Sequence, residues 1–212
     1  MRTNLDLDTW NRRHLFRSYL GTDFPYVNIG CELDITKLYR YVKEEGLSLY
    51  FSLIYAATKA ADEIENFRYR FEGEQPFVID HNTAFATHLI PGEDLFTMVE
   101  CEDYPTLKEF AEKNRERADI PHPESGLYQM KGRMDFINFT CIPWVHYTHF
   151  VRTIKEDGVD CNPKMSFGKY IKKDGRVLIP FSSQTHHGLT DGYHVGMFFQ
   201  RLEEYLGDEG WK

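Results

Sequence analysis

The stretch Gln184-Thr-His-His187-Gly-Leu-Thr-Asp191-Gly-Tyr-His194 joins two segments of different periodicity. Before it, Arg176 to Thr185 reads as an apolar strand. After it, Val195, Phe198, Phe199, Leu202 and Tyr205 recur at helical spacing, which predicts a helix from Asp191 to about Leu206. The quoted residues therefore sit where a strand ends and a helix begins, a place where side chains reach a cleft. Neighbouring strand residues point to opposite faces, so only one of His186 and His187 easily faces a given site. Asp191 suits a helix cap, and Gly188 and Gly192 permit unusual backbone angles beside a histidine. On spacing alone three roles stay open. The histidines are hydrogen-bonded loop residues beside a capping aspartate; or His187, Asp191 and His194 hold a metal; or His187 is a general base near neutral pH.

Upstream, Lys173-Asp174-Gly175 supplies a hairpin turn between the last strand and one from Lys164 to Ile171, and Phe136 to Phe150 reads as another long strand. Pro121 to Gly132 is a surface connection. It follows an amphipathic helix, Pro105 to about Ala118, with Leu107, Phe110 and Ala111 as its inner stripe. Phe67 to Phe71, Phe77 to Ile79, Thr83 to Ile90 and Leu95 to Cys101 read as short strands separated by turn clusters. Ser48 opens a segment to Ala61 that is apolar nearly all round, which predicts a helix buried on most sides. Asp34 or Thr36 caps a helix ended by Gly46, Pro25 to Leu33 reads as a strand, and Asp8 or Thr9 caps a first helix through about Tyr19. With no internal repeat and no G-x-G-x-x-G after a strand, the pattern predicts one α/β domain over residues 1–212, a large mixed sheet covered by helices, and not a dinucleotide-binding fold.

Composition narrows the function classes. Phe, Tyr and Trp make up 15% of the 212 residues, which excludes a disordered chain and fits β-rich structure with an aromatic-lined pocket. Lys and Arg number 25 against 33 Asp and Glu, and the net charge of −8 disfavours a nucleic-acid partner. Cys31, Cys101, Cys141 and Cys161 are widely spaced and indicate neither a zinc knuckle nor a disulfide framework. The N-terminus carries charges where a signal peptide needs an apolar run, and no stretch offers the ~20 apolar residues of a membrane helix. The expected compartment is the cytoplasm.

His186-His187-x-x-x-Asp191-Gly192 resembles the H-H-x-x-x-D-G motif of the CoA-dependent acyltransferases, and Tyr193-His194-Val195-Gly196 is similar to the chloramphenicol acetyltransferase branch. Further blocks agree in order: Trp10-Asn-Arg12-Arg13-His14-Leu-Phe16, Leu33-Asp34-Ile35-Thr36, Phe67-Arg68, Pro143-Trp144-Val145 and Gly168-Lys169-Tyr170. The resemblance implies a two-layer α/β sandwich and acetyl transfer from acetyl-CoA to a small-molecule hydroxyl, with chloramphenicol the favoured acceptor. It implies no metal, no covalent acyl-enzyme, antibiotic resistance, and a homotrimer with its active sites at subunit interfaces. The alternatives are an acetyltransferase acting on another hydroxyl or amine, or a non-catalytic or metal-binding protein on the same scaffold.

By the same resemblance His187 is the general base, its ring oriented by its own backbone carbonyl in a strained conformation. Asp191 pairs with Arg12, Thr140 donates to the oxyanion, and Ser166 supplies a second hydroxyl. Lys169, Tyr170 and Tyr50 face CoA, while Ser48 stands where the resembling enzymes carry a phosphate-facing lysine. Tyr19, Phe96 and Phe150 line the acceptor pocket, with Tyr19 and His187 meeting from different chains. Ser18 and Asp23 depart from the pocket pattern of the resistance enzymes.

Overall fold

A computed structural model describes residues 1–120, 130–154 and 160–207. Ten strands and five α-helices are found among them: β1 (Arg2–Asn4), α1 (Arg13–Leu20), β2 (Tyr26–Asp34), α2 (Thr36–Glu44), α3 (Leu49–Asp62), β3 (Tyr69–Glu72), β4 (Gln75–Ile79), β5 (Thr83–Leu89), β6 (Phe96–Glu100), α4 (Leu107–Ala118), β7 (Phe136–Cys141), β8 (Lys164–Phe167), β9 (Ile171–Lys173), β10 (Arg176–His186) and α5 (Gly192–Gly207). A large mixed sheet has the order β2-β10-β8-β7-β5-β6, with β9 paired to β10; β5–β7 and β7–β8 run parallel. A small antiparallel sheet, β1-β4-β3, lies beside it. The α/β fold with a large mixed sheet is as expected; the small sheet was not anticipated.

Local chemistry sets the helix starts. Ser48 caps α3 by accepting from the Phe51 N–H, and ten of the fourteen residues of α3 are buried, as its all-round apolar character requires. Thr106 caps α4 in the same way through Glu109 N–H. α2 closes at Gly46, whose φ of +70° lets the Leu47 N–H reach back to the Val42 carbonyl. The inner faces of α2 to α5 pack with Phe139, Met165, Phe167, Ile179 and Phe181 into one core. The alternate residues of those strands, among them Thr140, Ser166 and Ser182, face the other side of the sheet. There the 142–154 segment lies over them: Tyr147 Oη donates to the Ser166 carbonyl and Arg152 to Asn138.

Several expected boundaries move. The first helix begins at Arg13, because Asp6 organises the preceding turn through the Asp8 N–H and the Thr9 hydroxyl. A 3-10 turn over Glu65–Arg68 precedes β3. The strand expected to run to Phe150 ends at Cys141, since Pro143 has no N–H and Val145 N–H turns back to the Ile142 carbonyl. The strand expected over Lys164 to Ile171 is two strands broken at Gly168, opposite Pro180. Pro180 lacks a donor on the side where the ladder is interrupted, which is what allows a proline inside β10. A side chain at Gly168 would put its Cβ 2.5 Å from Pro180 Cγ and 2.9 Å from the Val145 carbonyl oxygen. Asp174-Gly175 turns the hairpin with both φ angles positive. Of the connection expected over 121–132, residues 121–129 lie outside the described residues. No helix among the described residues is long and apolar enough to cross a membrane.

Candidate active site

β10 delivers the two histidines to different surroundings. His186 is buried, packs against Phe71 and Tyr26, and accepts the Gly188 N–H at Nδ1. His187 follows the strand end, with its N–H anchored on the Pro25 carbonyl at 2.7 Å. Its Nδ1 lies 3.0 Å from the Thr190 carbonyl oxygen. A carbonyl only accepts, so Nδ1 carries the proton and Nε2 presents the lone pair. The Tyr19 ring stacks on the imidazole, with centroids 4.2 Å apart and planes at 19°.

Three expectations about this histidine are corrected. Its own carbonyl does not orient the ring, because that oxygen accepts from Arg12 Nη2 at 3.0 Å; Thr190 supplies the acceptor instead. The backbone of His187 is not left-handed: Asp174 is the one non-glycine with positive φ among the described residues. Tyr19 and His187 meet within a single chain rather than across two.

Arg12 meets Asp191 as expected, Nη1 to Oδ2 at 2.9 Å, and its Nε donates to the Gly188 carbonyl. One buried guanidinium thus ties three residues of the 187–191 loop. The other Asp191 oxygen accepts the Tyr193 N–H and lies 2.9 Å from His194 Nδ1. Burial would raise the Asp191 carboxyl, but Arg12, His194 and the Tyr193 N–H outweigh it and hold it below its usual range. Burial pushes His194 down, against the pull of Asp191. With Nδ1 of His187 on Thr190 and both Asp191 oxygens engaged, the loop offers no open ligand triad. Among the described residues no three His, Cys, Asp or Glu side chains are grouped to hold a metal ion.

Thr140 and Ser166 are register partners on the parallel strands β7 and β8, and Ser166 is in turn opposite Ser182 on β10. The three hydroxyl residues thus form one row across the sheet, although they lie far apart in sequence. Ser166 is 1% exposed and its hydroxyl has no hydrogen-bond partner among the described residues, while Ser182 Oγ donates to Tyr147 Oη. On the other, helix-covered side of the sheet lies a cavity of about 400 Å³ that brings together Tyr50, Lys169 and Tyr170, all three expected cofactor-facing residues, with Leu49, Cys141 and Pro143. Burial pushes the Cys141 thiol up to about 12.

The expected acceptor residues are not gathered. Phe96 starts the edge strand β6 and is 54% exposed; Phe150 packs on Tyr147, and its carbonyl accepts from Asn28. Neither ring contacts Tyr19 or His187 among the described residues. Ser18 and Asp23 are exposed. The hydroxyl row and His187 also stand apart: Ser182 and His186, the residue before it, are separated by four residues of β10, about 13 Å at the usual rise per residue. Reading side chains missed Thr190, whose contribution is a backbone oxygen, and Cys141 and Leu49, which only the folded cavity brings to the site.

A histidine held between a stacked ring and a carbonyl, on the loop after β10, the second strand from the edge of the mixed sheet, suits the proton removal that acyl transfer to an alcohol needs. The comparisons agree. The family profile described as chloramphenicol acetyltransferase matches residues 1–203. A chloramphenicol acetyltransferase of Clostridium perfringens is 30% identical over 221 residues, covering 100% of this chain and 98% of that protein, and chloramphenicol acetyltransferase 2 of Escherichia coli is 28% identical, covering 95% of each. A solved chloramphenicol acetyltransferase superposes with a TM-score of 0.89 at 22% identity, over 97% of this chain and 100% of that one. The chain belongs to the chloramphenicol acetyltransferase family.

Proposed function

We propose that the protein moves the acetyl group of acetyl-CoA directly to a hydroxyl of chloramphenicol, and so confers resistance to it. The observation that carries the reading is the fixed His187 ring, with its Nδ1 proton on the Thr190 carbonyl and Nε2 left as a base. An alcohol is a poor nucleophile until its proton leaves. Nε2 takes that proton as the oxygen attacks the thioester carbonyl. Thr140 donates to the oxyanion that forms, and the Ser166 hydroxyl holds a water or adds a second donor. Collapse breaks the C–S bond, and the departing thiolate recovers the proton from the imidazolium. Tyr50, Lys169 and Tyr170 hold CoA in the cavity that Cys141 also lines.

The distance along β10 between the hydroxyl row and the base supports a site completed between copies. The base of one subunit then faces Thr140 and the cavity of the next in a trimer. Phe96 and Phe150 line the acceptor pocket in that arrangement. Their separation from Tyr19 in one chain equally favours a second reading, in which a different hydroxyl or amine is the acceptor.

Thiol release from acetyl-CoA, measured with and without chloramphenicol, separates the two readings. Release that does not depend on chloramphenicol but appears with another acceptor overturns the first. His187→Ala is expected to abolish transfer with the fold intact. Refolding His187→Ala together with Thr140→Ala is expected to restore turnover that neither variant has alone. No recovery in the mixture overturns the shared site.

A further inference from the structure

Phe167 on β8 is the register partner of Phe181 on β10, and Ile171 on β9 is that of Leu178. Gly168, Lys169 and Tyr170 therefore stand opposite Ile179 and Pro180 alone, and the extra residue makes a bulge. A bulge re-aims the side chains of the strand that carries it. Neighbours in a regular strand point to opposite faces, yet Lys169 and Tyr170 both line the one cavity.

The bulge is held from outside the ladder. The Lys169 N–H donates to the Val145 carbonyl at 2.8 Å, and the Lys169 carbonyl oxygen lies 2.8 Å from His146 Nδ1. A carbonyl only accepts, so Nδ1 is the donor. That carbonyl belongs to the peptide plane joining Lys169 to Tyr170, the link between the two cavity residues. The other ring nitrogen, Nε2, lies 3.0 Å from Glu32 Oε2. Glu32 is the register partner of Pro180, so the half-buried imidazole crosses β10 at its proline and ties the bulge to the edge strand β2. Neither His146 nor Glu32 lines the cavity.

We propose that His146 is a positioning residue of the acetyl-CoA site, which fixes the peptide plane between Lys169 and Tyr170 and so directs both side chains into the cavity. The inference rests on reading that cavity as the CoA groove. Its test is calorimetric binding of CoA to the full chain, with KM for acetyl-CoA and kcat measured beside it using chloramphenicol as acceptor. His146→Ala is expected to weaken CoA and raise KM about tenfold, as loss of one well-placed hydrogen bond does, while kcat moves far less. An asparagine amide reaches the place of Nδ1, and a glutamine amide that of Nε2. His146→Asn is therefore expected to restore binding to within about twofold of the unaltered protein. His146→Gln keeps only the Glu32 side and is expected to bind as weakly as His146→Ala. Full affinity in His146→Ala overturns the assignment, as does rescue by glutamine equal to that by asparagine, or a loss confined to kcat. Leu49→Trp, which fills the cavity, is expected to weaken CoA whatever stands at 146. Normal binding to that variant overturns the cavity reading itself, a result distinct from failure of His146 alone.

Discussion

Replacing Arg12 by methionine keeps a chain of similar length but removes three hydrogen bonds at once: to the carbonyls of His187 and Gly188 and to the Asp191 carboxylate. Arg12 is 7% exposed and Asp191 29% exposed, so water reaches the carboxylate far more readily than the guanidinium site. The two stranded carbonyls cost about 1–2 kcal/mol each. The partly hydrated carboxylate adds about 1 kcal/mol, well short of the cost of a dry orphaned charge. The expected loss of stability is therefore about 3–5 kcal/mol, read by urea unfolding at one fixed chain concentration because assembly contributes. Turnover, followed as thiol release, falls by about 100-fold or more, since on the proposed mechanism a shift near 1 Å in the His187 loop is that costly. Arg12→Lys restores charge but not the three-way fork and falls between the two. The pH dependence fixes the sign. A carboxyl lowered in the folded state adds stability above its unfolded pKa of ~4 and loses it as pH falls through the folded value. The gap between parent and variant is thus full at neutral pH and narrows in acid. A variant within about 1 kcal/mol of the parent with unchanged kcat, or a gap that does not narrow in acid, refutes the reasoning.

Three further outcomes are expected. Gly168→Ala brings a Cβ to 2.5 Å from Pro180 Cγ and 2.9 Å from Val145 O; thermal unfolding should show a loss of about 1–3 kcal/mol, and KM for acetyl-CoA should rise because Lys169 and Tyr170 shift with it. Arg70 is fully buried, its pKa lowered by burial to about 10, and it donates to the carbonyls of Phe67, Tyr69 and Phe136 and to the side chains of Asn82 and Asn162. Arg70→Met strands all five acceptors and should cost about 4 kcal/mol or more, seen as loss of soluble folded protein or a much lower urea midpoint. Cys141 lines the cavity with its thiol raised to about 12, so alkylation by iodoacetamide at neutral pH should be slow in the native protein and rapid after unfolding.

The elements most legible in the sequence were those whose signal is local. α3 announces itself by a capping serine and an unbroken apolar surface, and the β9–β10 turn by Asp174-Gly175. β1 has no such signal: its three residues are ordered by pairing with β4. The overlong reading of β7 came from apolar residues that continue past Pro143 into the turn now docked on Gly168. The site follows the same division. Arg12 and Asp191 were recoverable because the motif blocks name them. The alignment of Thr140, Ser166 and Ser182 depends on register between three distant strands, and the role of Thr190 rests on a main-chain oxygen. Neither can be read from side-chain identity. The cavity grouping of Tyr50, Lys169 and Tyr170 was anticipated by resemblance, whereas Leu49 and Cys141 came into view only in the folded chain.

The carbonyl that holds the His187 ring has an evolutionary consequence. Because the orienting acceptor belongs to the main chain, no single-residue exchange at 190 deletes it, and the Thr190 hydroxyl, bonded to Thr185 and the His186 carbonyl, serves only to steady it. A lineage can therefore vary that side chain while the tautomer of His187 is preserved. What it cannot vary is the number of residues between His187 and Asp191. Length, not composition, is the inherited constraint on this loop, and insertions or deletions there should be the changes that silence the enzyme.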